Sequence, residues 1–187
     1  MQYTLMLWHA DHVKFAQLLT LLEGELQRFH DGGSPDYELM LDIMYYMTNY
    51  SDVLHHPKED LVFARVKARD AHLGASVDSL TAQHAQLREI GETMVRALDE
   101  IVDGSMAPRT RLEAAARSYV GALRAHMRTE ENEILPAAGR LLSAADWTEV
   151  DAEIAKFDDP LFGSLVHDRY AGLRERIDRQ ALAQRTR

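Results

Sequence analysis

The sequence states one chemical phrase twice. His12 and His84 stand 72 residues apart, while His55 and His126 stand 71 apart, as do Glu59 and Glu130. Each half therefore reads as a single histidine, a spacer of about forty residues, and then His-x-x-x-Glu. Residues four apart on a helix lie one turn above each other on the same face, so each His-x-x-x-Glu is a two-ligand clamp. Aligning the single histidines also superposes Phe15 on Leu87, Leu18 on Ile90, Leu22 on Met94 and Leu26 on Leu98. Two helix pairs related by a pseudo-twofold axis would bring four histidines and two carboxylates together.

The rest of the chain agrees with helices. Apolar residues recur at intervals of three and four, and Leu, Ala, Met, Glu and Arg dominate. The first helix is expected over 4–29, with Leu5, Trp8, His12, Phe15, Leu19, Leu22 and Leu26 on one face and the run from Asp31 to Pro35 as its stop. The second is expected from Pro35 or Asp36 to about Val66, with a kink at Pro57. The third follows Ser76 or Asp78 and reaches Val102, and the fourth runs from Pro108 to about Leu142 after a break over 103–108. A shorter helix over 146–156, a turn over 157–163 and a last helix to about Gln180 complete the chain. The reading is an all-α protein of one domain, an antiparallel up-down-up-down four-helix bundle with extra C-terminal helices.

Charge and composition remove several functions. A net charge of −9 opposes binding to nucleic acid or to anionic lipid, and no run approaches the roughly 20 apolar residues that span a bilayer. The opening MQYTLMLWHADH has no basic region or small-residue cleavage site, so a cytoplasmic location is expected. The absence of cysteine excludes disulfides, thiolate catalysis and sulfur-ligated metals.

Any metal must then sit on nitrogen and oxygen. His12, His55, Glu59, His84, His126 and Glu130 are the candidate ligands. Imidazole with carboxylate suits iron, manganese or zinc, whereas calcium and magnesium prefer all-oxygen shells; a pair of iron ions is the first choice. Leu54, Leu61, Val62 and Phe63 flank the first clamp, and Leu123, Ile134 and Leu135 the second, so the histidines point into an apolar interior and need partners. His9, one turn before His12, is a further candidate, and His56 is a weaker one because it points about 100° away from His55 on an α-helix. His30, His72 and His167 read as surface or capping residues. Tyr45, Tyr46 and Tyr119 read as core residues whose phenols could reach toward the centre.

At LWHADH, VLHHPKEDLVF, TAQHAQL and AHMRTEENEILP the chain resembles the hemerythrin-like, HHE cation-binding family, over about Leu5 to Leu142. The tail stretch DDPLFG, 158–163, is similar to a segment that follows this domain in bacterial members. The resemblance implies a four-helix bundle around a non-haem di-iron centre (Fe2+/Fe3+), carboxylate-bridged and in some members oxo- or hydroxo-bridged. Its small-molecule partners would be dioxygen, nitric oxide or peroxide, and a homodimer is compatible with it. The sequence departs from the oxygen carriers at two points. Those have a second histidine four residues after the one on the third helix, where Arg88 stands here, and they end the fourth helix with His-x-x-x-x-Asp instead of His126-x-x-x-Glu130. The ion held by the third and fourth helices is thus expected to lack a nitrogen ligand or to take one from elsewhere, such as His9. Ferritin-like proteins place Glu-x-x-His on their helices, which is the reverse order. Three functions fit: a protein that binds or senses oxygen, nitric oxide or iron itself, which is preferred; an enzyme that reduces peroxide or nitric oxide, with Arg88 or a tyrosine assisting; and a bundle fastened by structural zinc.

Overall fold

The computed structural model describes residues 3–104, 109–153 and 159–185. Among them every regular element is helical and there is no strand. Four rods make the bundle. Rod one is α1 (Tyr3–His30). Rod two is a continuous run of α2 (Tyr37–Tyr46), a π-helical segment (Met47–His55) and α3 (His56–Arg69). Rod three is α4 (Gly74–Val102), entered through a 3-10 turn (Ala71–Leu73). Rod four joins α5 (Arg109–Thr129), a second π-helical segment (Glu130–Ile134) and α6 (Leu135–Leu141). Beyond them α7 (Ala144–Glu153) lies on α3, and α8 (Ala171–Arg185) lies on α2.

Local chemistry sets the rod ends. Gly32 adopts φ +82 just after α1, a conformation open to glycine, and Gly33 N–H returns to the Arg28 carbonyl at 2.9 Å. The Asp36 carboxylate caps α2 by accepting from Leu39 N–H at 3.0 Å. Residues 105–108 of the expected break, the end of the expected tail helix at 154–156 and the first residues of the expected turn, 157–158, lie outside the described residues. The last helix runs to Arg185, past the expected end at Gln180.

At Pro57, where a kink is expected, the structure has a widened turn. Proline has no N–H and crowds the carbonyl four residues back, so the α-helical bonding pattern cannot pass through it. The helix answers with an i→i−5 bond from His56 N–H to the Ser51 carbonyl. Pro136 has the same effect on rod four, where Leu135 N–H reaches the Glu130 carbonyl. Each π turn holds an additional residue, so the buried face advances by one position. Leu54 and Leu61 are only half-buried, whereas His55, Glu59 and Val62 are buried.

Apolar packing divides in two. One cluster contains Phe15 to Leu26 of rod one, Leu39 to Tyr50 of rod two, Leu87 to Leu98 of rod three and Leu112 to Met127 of rod four. The other contains Leu5, Trp8, Val62, Phe63, Val66, Val77, Leu80, Ile134 and Leu135, closed by Trp147 and Val150 of α7. Along every rod the candidate ligands fall between the two clusters. A polar layer crosses the bundle there, insulated from water at both ends.

The C-terminal segment docks through one buried carboxylate. Asp159 accepts from the Tyr46 hydroxyl at 3.1 Å and from the N–H groups of Leu161 and Phe162 at 2.9 Å, and it pairs with Lys14 at 3.3 Å. Leu161, Tyr170, Leu173 and Ile177 then join the first cluster. Asp159→Ala leaves a buried phenol, two N–H groups and a cation without their acceptor. The expected loss is about 2–4 kcal/mol, read as a fall in the urea midpoint at unchanged m-value. A midpoint unchanged from wild type would show that the tail does not depend on this carboxylate.

Candidate metal centre

All six predicted residues meet in the polar layer. Glu59 and Glu130 are 0% exposed, and His12, His55, His84 and His126 are buried around them. His12 Nε2 and His55 Nε2 lie 3.3 Å apart, as one pair; His84 Nε2 and His126 Nε2 lie 3.0 Å apart, as the other. Both carboxylates are shared between the pairs. Glu59 Oε1 is 3.1 Å from His55 Nε2 and 3.4 Å from His12 Nε2, while its Oε2 is 3.7 Å from His84 Nε2. Glu130 Oε1 is 2.9 Å from His126 Nε2 and 3.7 Å from His84 Nε2, and its Oε2 is 3.4 Å from His12 Nε2.

Outer partners fix which ring nitrogens face inward. Each Nδ1–H donates outward: His12 to Glu131 at 2.7 Å, His55 to Asp11 at 3.3 Å, His84 to Asp60 at 3.1 Å and His126 to the Gln83 amide oxygen at 3.1 Å. With Nδ1 committed to these outer acceptors, the four Nε2 atoms converge on the carboxylates. These acceptors obey the sequence repeat. Asp11 and Gln83 precede the single histidines, and Asp60 and Glu131 follow the clamp glutamates. Each also belongs to the rod before the histidine it serves, with rod four serving rod one, so the bonds form a closed ring. The ring could have been found by carrying the 71- and 72-residue offsets one position beyond the ligands.

The electrostatics record a deficit of positive charge at the centre. Burial opposes charge on His12, yet its hydrogen bond to Glu131 and the adjacent carboxylates of Glu59 and Glu130 outweigh burial and push its pKa up to about 10. His84 is likewise opposed by burial but raised to about 9, chiefly by Asp60 and Glu130. His55 is also raised, burial being outweighed by Glu59 and Asp11. Glu59 is held well below the usual carboxylate range, because His55 and His12 outweigh its burial. All four oxygens of Glu59 and Glu130 are buried without a well-formed hydrogen bond. Buried carboxylates in that condition are costly unless cations face them.

The other candidates separate clearly. His9 is 59% exposed and bonds to Glu131 at 3.0 Å, so it does not supply the nitrogen expected to be missing. His56, ranked low from the sequence, lies inside the layer: its ring stacks on His84 at 4.2 Å between centroids. A bundle helix buries a wide arc, so two residues 100° apart can both face inward. His55 faces His12 of α1, and His56 faces His84 of α4. Burial, reinforced by the charge of His84, holds the His56 imidazole well below its ordinary pKa. Arg88 turns neither to the centre nor to Glu89 or Glu92: its guanidinium donates to the Asp52 carbonyl at 2.6 Å. Tyr46 bonds to Asp159 and Tyr45 to Asp99, both away from the centre, and Tyr119 packs beside Gly91. His30 and His72 are exposed, and His167 caps a 3-10 turn at the surface.

Two groups of side chains are therefore positioned to chelate a pair of metal ions. His12, His55 and Glu59 form one, and His56, Glu59, His84 and His126 the other, with ligand-type atoms in each group within 4.8 Å of one another. A groove of about 530 Å³ between α1 and α5, lined by His9, His12, Val13, Met127 and Glu131, reaches the first group from outside. No described helix is long and apolar enough to cross a membrane. No curated protein matches the chain. The family model of the hemerythrin HHE cation-binding domain matches residues 4–138, which contain every residue of the polar layer, and the chain belongs to that family.

Proposed function

We propose that the protein is a non-haem di-iron protein that binds or senses a small oxidant or diatomic molecule. His12 and His55 would hold one ion and His84 and His126 the other, with Glu59 and Glu130 within reach of both. The observation that carries this reading is the state of the two glutamates: both are fully buried, their four oxygens lack well-formed hydrogen bonds, and each is divided between two imidazole pairs. Two divalent cations would neutralise these carboxylates, and the nitrogen-oxygen donor set fits iron. Bound iron would supply a redox-active Lewis-acid pair for dioxygen, nitric oxide or peroxide. The residues hold the imidazoles in one tautomer, exclude water through the two apolar clusters, and admit a small molecule along the groove beside His12.

The test is metal analysis with an optical spectrum on protein purified with its native metal. Two irons per chain with near-ultraviolet ligand-to-iron absorption are expected. Colourless protein with stoichiometric zinc would overturn the iron reading and leave a bundle fastened by metal.

The outer ring gives a graded prediction. Glu131→Ala removes the acceptor that orients His12 and leaves the proposed ligands in place. Iron affinity should fall about 10- to 100-fold, measured by competition with a chromogenic chelator. Wild-type affinity in this variant would show that the ring does not orient the histidines.

A further inference from the structure

We propose that His56 is itself a metal ligand, the third imidazole of the half-site that contains His84 and His126. The inference rests on the di-metal reading above. One ring nitrogen of His56 lies within 4.8 Å of ligand-type atoms on Glu59, His84 and His126. Its ring is parallel to that of His84, at 8° and 4.2 Å, and its centroid is 5.5 Å from that of His126.

His56 shares part of the surroundings of the other four imidazoles, although the acceptor beside its Nδ1 lies on its own rod. Each of those turns Nδ1 to an acceptor on its outer side, and His56 turns Nδ1 to the buried carboxylate of Asp52 at 3.2 Å. That approach is out of line for a hydrogen bond: His56 Nδ1 and both Asp52 oxygens are buried without a partner. Buried polar atoms are rarely left so, and these three lie beside one another. A small rotation of the ring would satisfy Nδ1 on Asp52 and free Nε2 for an ion. The present partner of Nε2 is the Ser51 hydroxyl at 3.1 Å, a single neutral hydrogen bond that a metal bond readily replaces.

The repeat is broken at this position alone among the inward residues of the clamps. An offset of 71 from His56 falls on Met127, which lines the groove beside His12. The two half-sites therefore differ, with three imidazoles on the side of α4 and two on the side of α1.

The experiment compares wild type with His56→Gln, both full length, by anaerobic titration with ferrous iron and by X-ray absorption at the iron edge. Glutamine can hydrogen-bond to Ser51 but brings no imidazole. Wild type is expected to take two irons. His56→Gln should keep its helical content and the first iron, bind the second about 100-fold more weakly, and lose one imidazole from the iron pair. His56→Gly with added imidazole, the second variant, should regain the second iron. Wild type taking up fewer than two irons would sink the di-metal reading itself. Two irons in wild type together with unchanged affinity and imidazole count in His56→Gln would overturn only the role of His56, as would a glycine variant that imidazole does not rescue.

Discussion

Glu59→Gln is expected to empty both half-sites, and Glu130→Gln to do the same. Each carboxylate presents one oxygen to each imidazole pair, so neither ion can keep its full set when one glutamate is lost. Glutamine preserves shape and one acceptor oxygen but removes the charge that offsets a divalent cation. An outer partner costs about 10- to 100-fold in affinity, and a bridging ligand should exceed the upper end of that range for the pair. His126→Ala, by contrast, should weaken mainly the ion beside His84, and exposed His167→Ala should leave metal content unchanged. Metal content per chain after passage through a desalting column, with circular dichroism to verify folding, distinguishes these outcomes. Two tightly held ions in either glutamine variant would show that its carboxylate is not a bridge.

The second large effect is a pH dependence that reverses on metal loading. In the metal-free protein His12 is raised from 6.5 to about 10 and His84 to about 9. Groups raised on folding stabilise the native state fully below the unfolded value and lose that contribution as pH climbs through the folded value. Metal-free stability should therefore decline from about pH 6.5 to pH 10. On the acid side Glu59 is lowered on folding, so its contribution is present above about pH 4.5 and vanishes as pH falls through its folded value. His56, lowered on folding by burial, adds a further loss as pH falls below about 6.5. The optimum thus lies at about pH 6.5, and the alkaline loss is on the order of a few kcal/mol, or roughly 10 °C in Tm. Metal needs the same imidazoles deprotonated, so loading releases protons and stabilises more as pH rises. Melting curves with chelator and with metal, from pH 5.5 to 9.5, should diverge steadily. A flat curve with chelator would show that the histidines are neutral without metal.

The bundle and the six convergent side chains were legible because they depend on periodicity and repeated spacing, which the sequence displays directly. The π turns were not. A proline two residues beyond His55 signals a break in the α-helical bonding, but not the i→i−5 bond that replaces it, nor that Leu54 and Leu61 are left half-buried beside buried His55 and Val62. His56 was undervalued for a related reason. An angle of 100° between neighbours excludes one of them only if the buried arc is narrow, and rod two is buried between α1 and α4. His9 was overvalued because spacing along a helix does not say which neighbour lies opposite, and opposite His9 lies Glu131. Arg88 could not be placed from sequence because its acceptor is a main-chain carbonyl, which carries no residue signature.

The ring of outer hydrogen bonds has a direction, and direction gives it control over handedness. Every acceptor lies on one rod and serves the histidine of the next, from Asp11 round to Glu131. Four antiparallel rods can be wound in two mirror-related senses in which each rod keeps the same two neighbours. Apolar burial is non-directional and discriminates poorly between them. In the mirror arrangement the flank that faced the preceding rod would face the following one. All four Nδ1–H groups would then be buried away from their acceptors. At about 1 kcal/mol or more for each lost bond, the difference approaches the whole stability of a small domain, roughly 5–15 kcal/mol. The residues that orient the histidines are thus also the ones that tell the chain which way to turn.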